Sequence, residues 1–211
     1  MGKSRSKDQK NGLQPKKTGT IPSQPNAGNP TPDSGNTVVA ANNRFASDLY
    51  SRLAKDPKYT GDNIFFSPFS ITSAVAITYE GARGSTADEI RSVFHYPENT
   101  SLLRRGYSKK ITDINSQNAS YILLTANALW AEKTYPFLPG YIHTAQTYYS
   151  ANTTNLDFIN DPDASRTTIN RWVEEKTRNT IKDLVPAGSI TPMTRLVITD
   201  AVYFKGTWVR Q

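Results

Sequence analysis

The sequence predicts a globular domain of mixed helix and strand. Apolar residues recur at helical spacing in several segments after residue 37, which is typical of amphipathic helices packed on a core. Two other segments, 121–131 and 195–209, are rich in β-branched and aromatic residues and predict long strands. The first of them is apolar on both faces over 122–130, which indicates a central strand covered on both sides.

Composition excludes several classes of protein. Hydrophobic residues make up 36% of the 211-residue chain and charged residues 20%, and no segment approaches the run of about 18 apolar residues that a membrane span needs. The absence of cysteine excludes disulfides, thiolate nucleophiles and cysteine-ligated zinc. Much of the net charge of +7 lies before residue 37, so the remaining body is not expected to bind nucleic acid specifically.

Residues 1–36 are predicted to form a disordered basic tail. The segment is rich in proline and glycine and lacks aromatic residues, so it cannot bury enough surface to offset the entropy of ordering. A flexible leader is the favoured interpretation, and a basic arm that contacts an acidic surface is the alternative. The first residues, MGKSRSKDQK, are followed by no apolar run, so no signal peptide is predicted and the chain as written would stay in the cytoplasm.

The first predicted elements are two helices separated by a short strand. In the segment TVVAANNRFASDLYSRLAKD, apolar residues recur at helical spacing. The segment NIFF predicts a short apolar strand, after which Ser67 is the predicted N-cap and Pro68 the first helical residue. The helix from Phe69 to about Tyr79 is apolar on most sides and is therefore expected to be buried.

Further elements alternate between helix and strand. A third helix is predicted to open with a capping box of Thr86 and Glu89. A fourth covers residues 100–116, and after the central strand the segment LPGYIHTAQTYY predicts another helix. A short strand, TTNLDF, and a capped helix in the segment DPDASRTTINRWVEEKTRNTIKDLV precede the last strand.

No catalytic or metal-binding motif accompanies these elements. The histidines, His95 and His143, lie far apart in unrelated contexts and are interpreted as ordinary partly buried residues. The segment DPDAS imitates the start of a calcium loop, but Arg166 replaces its glycine and Trp172 its final glutamate. We therefore expect no metal, no cofactor and no enzymatic activity.

Two surface signals leave alternatives open. Arg104, Arg105, Lys109 and Lys110 cluster on the fourth helix; a solvated face is favoured, and a polyanion-binding site is the alternative. Glycosylation sequons begin at Asn99, Asn118 and Asn152, but their number is what chance would give and does not place the protein in a secretory pathway.

Several blocks of the sequence, in order, resemble the serpin family. They are NIFFSPFSITSAVAITYEGARGSTADEI, TANALWAEKTYPFLPGYI, NLDF, INRWVEEKTRNTIKDLV and ITDAVYFKGTW, and the resemblance covers residues 37–211. It implies an α+β serpin fold, of which the chain is expected to hold an incomplete N-terminal part: helices A to F with strands 1 to 3 of sheet A. Residues 121–131 would be the second strand of sheet A, 195–209 the third, and 162–178 the helix that crosses the front of that sheet.

The resemblance also implies a function. Serpins bait a serine or cysteine protease with a reactive loop, which inserts into sheet A after cleavage and distorts the trapped protease; loop insertion is a standard example of strand addition. That loop would follow Gln211, so this chain alone is expected not to inhibit. Family resemblance places the whole inhibitor outside the cell. A non-inhibitory, serpin-like interaction protein and a polyanion-binding protein are the alternatives, with no membrane partner expected.

Five residues correspond to the regions that govern opening of the sheet in the family. Ser67, Pro68 and Ser70 match the shutter beneath the middle of sheet A, where small hydroxyl side chains can exchange hydrogen-bond partners. Asp200 belongs to the same region but stands where the family usually has asparagine, and a buried aspartate needs a donor or a raised pKa. Trp208 matches the breach at the top of the sheet.

Overall fold

A computed structural model describes residues 34–116 and 120–207. The predicted tail lies outside this range except for its last three residues, because the first helix already begins at Ser34. The elements, in chain order, are α1 (Ser34–Leu53), a 3₁₀ turn (Pro57–Tyr59), α2 (Pro68–Gly81), α3 (Gly84–Phe94), α4 (Thr100–Ile114), β1 (Tyr121–Glu132), α5 (Pro139–Tyr149), β2 (Asn152–Leu156), α6 (Pro162–Lys176) and β3 (Leu196–Gly206).

The three strands form one sheet in the order β2-β1-β3. β2 runs parallel to β1, as a connection through the intervening helix α5 allows. β3 runs antiparallel to β1 along almost its whole length, in a register that places Asp200 opposite Asn127. Within the described residues, β3 pairs only with β1, so its other edge carries unpaired backbone groups.

Both faces of the central strand are covered. Leu129 and Ala131 of β1 point to the larger core, which also holds residues of α1, α2, α4 and α5. Ala128 and Trp130 point to the opposite face, where they pack with Ile169 of α6. Because alternate side chains of a strand face opposite sides, this arrangement explains why β1 is apolar at nearly every position. The prediction of a central strand and of a helix across its front is confirmed.

Helix α2 lies buried between the sheet and the other helices. Ala76 and Ile77 are fully inaccessible, and the helix ends at Gly81, two residues beyond the predicted Tyr79. Its polar residues Thr72 and Ser73 are equally buried, because each finds hydrogen-bond partners inside the domain. α2 therefore places hydroxyl groups directly beneath the sheet.

Two local predictions are wrong. Residues 63–66 form no strand, because a strand requires a neighbour and none lies beside this segment in the part of the chain that the structure describes; Phe65 is 98% exposed. The capping box of Thr86 and Glu89 does not form either, since α3 begins two residues earlier at Gly84. Gly84 has a φ of +58°, a conformation that glycine adopts without strain, and this turn lets the helix start there.

Within the described residues, no helix combines the length and the apolar character that crossing a membrane requires.

Candidate functional site

The first part of the candidate site is the N-terminus of α2. Ser67 is the N-cap, and its hydroxyl accepts a hydrogen bond from the backbone N–H of Ser70 at 3.3 Å. Pro68 occupies the first helical position, where its missing N–H costs nothing. The predicted shutter residues Ser67 and Pro68 thus have a local structural role: they fix the start of α2 below the sheet.

The second part is a contact between α2 and β3. Ser73, which is fully buried, has its Oγ 2.7 Å from Oδ2 of Asp200. The same hydroxyl also lies 3.2 Å from the carbonyl oxygen of Ser70. The Ser73 hydroxyl therefore lies between the backbone of Ser70 and the Asp200 carboxyl, and the Ser70 hydroxyl lies near enough to Asp200 to lower its pKa.

Asn127 and Thr125 of β1 complete this polar face. Asn127 lies directly opposite Asp200, and its side-chain amide donates to the carbonyl oxygen of Tyr149 at 3.0 Å. Its other polar atom, Oδ1, is buried without a hydrogen bond, as are Oδ1 of Asp200 and Oγ1 of Thr125. We call the set of Ser73, Thr125, Asn127 and Asp200 the buried polar face.

Burial raises the pKa of the Asp200 carboxyl, against the opposing effect of the nearby hydroxyls of Ser70, Ser73 and Thr125. Those hydroxyls can donate to the ionised form, which is why they lower the pKa, but they do not compensate for the loss of water. Asp200 therefore has both a polar partner and a raised pKa.

The sequence interpretation missed Ser73, Thr125 and Asn127. Ser73 follows Ser70 by three residues and so lies on the same side of α2, a spacing that could have identified it. Thr125 and Asn127 are the polar members of an apolar strand and alternate on one face, which is the pattern that marks them.

A second buried network joins α2, α4 and α5. The side chain of Glu80 is only 4% exposed, and Arg104 donates to both of its carboxylate oxygens, the shortest contact being 2.7 Å from Nη2 to Oε2. Tyr149 donates its hydroxyl to the same carboxylate at 2.9 Å. These hydrogen bonds to Glu80 raise the pKa of the Arg104 guanidinium.

This network divides the predicted basic cluster on α4. Arg104 is occupied by Glu80, so it belongs to the core rather than to a shared basic surface. Lys109 and Lys110 both lie near Asp113, at 3.3 and 3.9 Å, which partly neutralises them. Arg105 is exposed and shares a shallow surface depression of about 370 Å³ with Lys109. The basic surface that remains is therefore smaller than the sequence suggests.

The remaining sequence signals fall outside any common site. Trp208, the predicted breach residue, and the sequon at Asn118 lie outside the described residues. His95 ends α3 with its Nε2 2.7 Å from Oδ2 of Asp48, and His143 is exposed on α5. Residues 34–116 and 120–207 contain no group of three or more His, Asp or Glu side chains that could hold a metal ion.

Comparison with known families assigns the fold a name. The family model "Serpin (serine protease inhibitor)" matches residues 40–211. The chain belongs to the serpin family. An uncharacterized serpin-like protein of Methanosarcina acetivorans is 50% identical over 172 residues, which cover 82% of this chain and 41% of the relative. The human leukocyte elastase inhibitor is 43% identical, with 81% of this chain and 44% of the relative covered.

Solved structures agree with this assignment. Emu ovalbumin matches with a TM-score of 0.77 at 30% identity, covering 82% of this chain and 48% of ovalbumin. Cleaved kallistatin in complex with heparin matches with a TM-score of 0.76 at 25% identity, covering 83% and 51%. The predicted serpin fold with its three strands of sheet A is thereby confirmed. The chain spans about two fifths of the length of the curated relatives it matches.

Proposed function

We propose that a protein that contains this chain and has the length of its curated relatives acts as a serpin-type inhibitor of a serine or cysteine protease. The observation that carries this proposal is the serpin fold: the family model matches residues 40–211, and β2, β1 and β3 form a sheet with β3 antiparallel to β1. In the proposed mechanism a cleaved loop is added to this sheet as a further strand. In this proposal the protease supplies the catalytic groups and the inhibitor is not an enzyme, and a location outside the cell is part of the same proposal.

The buried polar face supports the same proposal. In the proposed mechanism, opening the sheet of the longer protein shifts β3 and β1 over the helix below them. Ser73 and Asp200 join helix to strand by a single hydrogen bond, and small hydroxyls next to it offer replacement partners. A contact of this kind can be broken and re-formed at low cost, whereas an interlocked apolar contact resists sliding.

The test is a protease titration of a protein that contains this chain and has the length of its relatives. It is incubated with trypsin-, chymotrypsin-, elastase-, subtilisin- and papain-like proteases, and the products are separated in SDS. We expect a one-to-one, SDS-resistant complex with at least one protease. The 211-residue chain is the matched control and is expected to form none. Cleavage of the longer protein by every protease, without any complex, would contradict inhibition and favour a non-inhibitory serpin.

We propose weak polyanion binding as a second function. Arg105 and Lys109 lie one helical turn apart on the exposed face of α4, which could contact two sulfate or phosphate groups. The solved structure of kallistatin contains heparin, which shows such binding in a relative. The basic tail adds further positive charge.

Heparin affinity measured at several salt concentrations tests this second function. Replacing Arg105 and Lys109 by alanine is expected to reduce the salt slope by about 1.4–1.8, since each polyanion contact contributes about 0.7–0.9. The control pair Arg52→Ala, at the exposed end of α1, and Lys55→Ala, two residues after that helix, should leave the slope unchanged. Equal effects of the two pairs would show that binding depends only on net charge, and loss of the slope on deleting residues 1–36 alone would assign it to the tail.

A further inference from the structure

A groove of about 800 Å³ lies beside the end of α2, the first turn of α3 and the segment that leads from β1 into α5. Its volume is within the range of about 300–1,000 Å³ that small-molecule sites span. None of the residues of the buried polar face lines it. The groove is therefore separate from the site described above.

Aromatic side chains form one wall of the groove. The ring centre of Phe137 lies 4.8 Å from that of Tyr135 and 6.3 Å from that of Tyr141. Phe137 and Tyr141 pack against the larger core, which fixes their rings, whereas Tyr135 is 48% and Leu138 70% exposed. Apolar side chains gathered at a concave surface and open to solvent are typical of a site that receives an apolar group.

The same groove is lined by two guanidinium groups that keep unused donors. Arg83 donates from Nη1 to the carbonyl oxygens of Glu80 and Ala82, at 3.0 and 2.6 Å, which tethers its side chain to the end of α2. Arg104 donates to the Glu80 carboxylate from Nε and Nη2. In the part of the chain that the structure describes, Nη2 of Arg83 and Nη1 of Arg104 make no hydrogen bond.

The charge of the groove favours an anion. Its charged lining residues are Glu80, Arg83 and Arg104, so one negative and two positive charges leave a net charge of +1. Arg104 neutralises Glu80, and Arg83 forms no ion pair within residues 34–116 and 120–207. A guanidinium group with free N–H donors is well suited to a carboxylate, to which it can donate two parallel hydrogen bonds.

We propose that this groove binds a small carboxylic acid with a flat aromatic body. The rings of the wall pack against those of the ligand, while Arg83 and the free edge of Arg104 donate to its carboxylate. A flexible fatty acid could bury similar apolar area, but it would lose the freedom of its rotatable bonds and gain no ring contacts. The inference does not depend on protease inhibition.

The test is a titration of the 211-residue chain with 2-naphthoate, followed by calorimetry and by the backbone amide shifts in NMR spectra. We expect one site per chain with a dissociation constant of about 0.1–1 mM, which is the affinity usual for a ligand of this size. The amides that shift should be those of residues 78–86 and 135–144, which surround the groove. The uncharged analogue 2-naphthamide should bind at least about fivefold more weakly, because it lacks the carboxylate.

Variants of the groove separate its charge from its apolar wall. Arg83→Gln should weaken naphthoate binding by about two- to fivefold, the effect of losing an exposed ion pair. Arg44→Gln, at an exposed position of α1 outside the groove, is the matched control and should leave the affinity unchanged. Leu138→Glu places a carboxylate in the groove and should abolish binding; since Leu138 is 70% exposed, the melting temperature should stay the same.

Two further titrations decide the ligand class and the protein context. Undecanoate, a fatty acid with as many carbon atoms as naphthoate, should bind more weakly than naphthoate. A protein that contains this chain and has the length of its relatives should bind naphthoate at the same residues. Amide shifts elsewhere in the chain, equal affinity for naphthamide, equal or tighter binding of undecanoate, an unchanged affinity of Arg83→Gln, or no binding by the longer protein would each overturn the proposal.

Discussion

Replacing Arg104 by methionine should destabilise the domain far more than its place in a surface-like basic cluster suggests. Its guanidinium makes three contacts of 2.7–3.2 Å with the Glu80 carboxylate, whose side chain is only 4% exposed. Methionine preserves most of the apolar length of the side chain but offers no donor. After the change, the buried carboxylate keeps one partner, the Tyr149 hydroxyl.

The expected cost follows from the burial of the two partners. Breaking a fully buried ion pair costs about 3–5 kcal/mol, because a charge remains without compensation. Since the Arg104 side chain is 33% exposed, water can replace part of its solvation of Glu80, and we expect a loss of about 2–3 kcal/mol in the free energy of unfolding. For a chain of this size the melting temperature should fall by about 4–12 °C.

Urea unfolding of a double-mutant cycle measures this cost. Glu80→Gln combined with Arg104→Met removes the stranded charge, so the pair should recover at least about 1 kcal/mol of the loss from Arg104→Met alone. Arg105→Met, one residue along and exposed, is the matched control and should stay within about 0.5 kcal/mol of the unmodified chain. Equal effects of the Arg104 and Arg105 variants, or strict additivity in the cycle, would refute the buried network.

Two further variants test the cap of α2 and the acid stability of the sheet. Ser67→Ala removes the N-cap and should lower the free energy of unfolding in urea by about 0.5–1 kcal/mol. This is the lower part of the usual range, because the capping hydrogen bond is 3.3 Å long. An effect equal to that of Ser101→Ala, at an exposed serine, would contradict the capping role. The hydrogen bond from Lys133 lowers the pKa of Asp157 to about 2, so its contribution to stability is present above about pH 4 and lost as the pH falls toward 2. Asp157→Asn should therefore reduce the loss of melting temperature between pH 4 and pH 2, and an unchanged acid response would contradict the Lys133 contact.

Sequence patterns predicted those elements that depend on neighbouring residues. Ser67 followed by Pro68 marks the start of α2, and the continuous apolar run of β1 marks a strand covered on both faces; the structure confirms both. The start of α3 was predicted wrongly because the turn at Gly84 competes with the capping-box pattern two residues later. The strand at 63–66 was predicted wrongly because composition contains no information on whether a partner strand lies alongside.

The candidate site was harder to predict because its contacts join distant parts of the chain. Ser73 and Asp200 are separated by 127 positions, and Glu80 meets Tyr149 across 69. A resemblance to serpins pointed to Asp200, but only the register of β1 against β3 reveals that Asn127 lies opposite it. In the same way, Arg104 and Arg105 look equivalent in sequence, and only the position of Glu80 on α2 separates the ion-paired, partly buried Arg104 from the exposed Arg105.

Hydrogen exchange along β3 tests most directly whether this sheet accepts an inserted strand. The experiment uses a protein that contains this chain and has the length of its relatives. Amide protection at residues 196–206 is measured before and after a single proteolytic cut in the reactive loop. If the loop inserts beside β3, the amides that point away from β1 should become protected, because they gain hydrogen-bond partners. A cut that leaves the protection of those amides unchanged would contradict loop insertion and with it the proposed mechanism of inhibition.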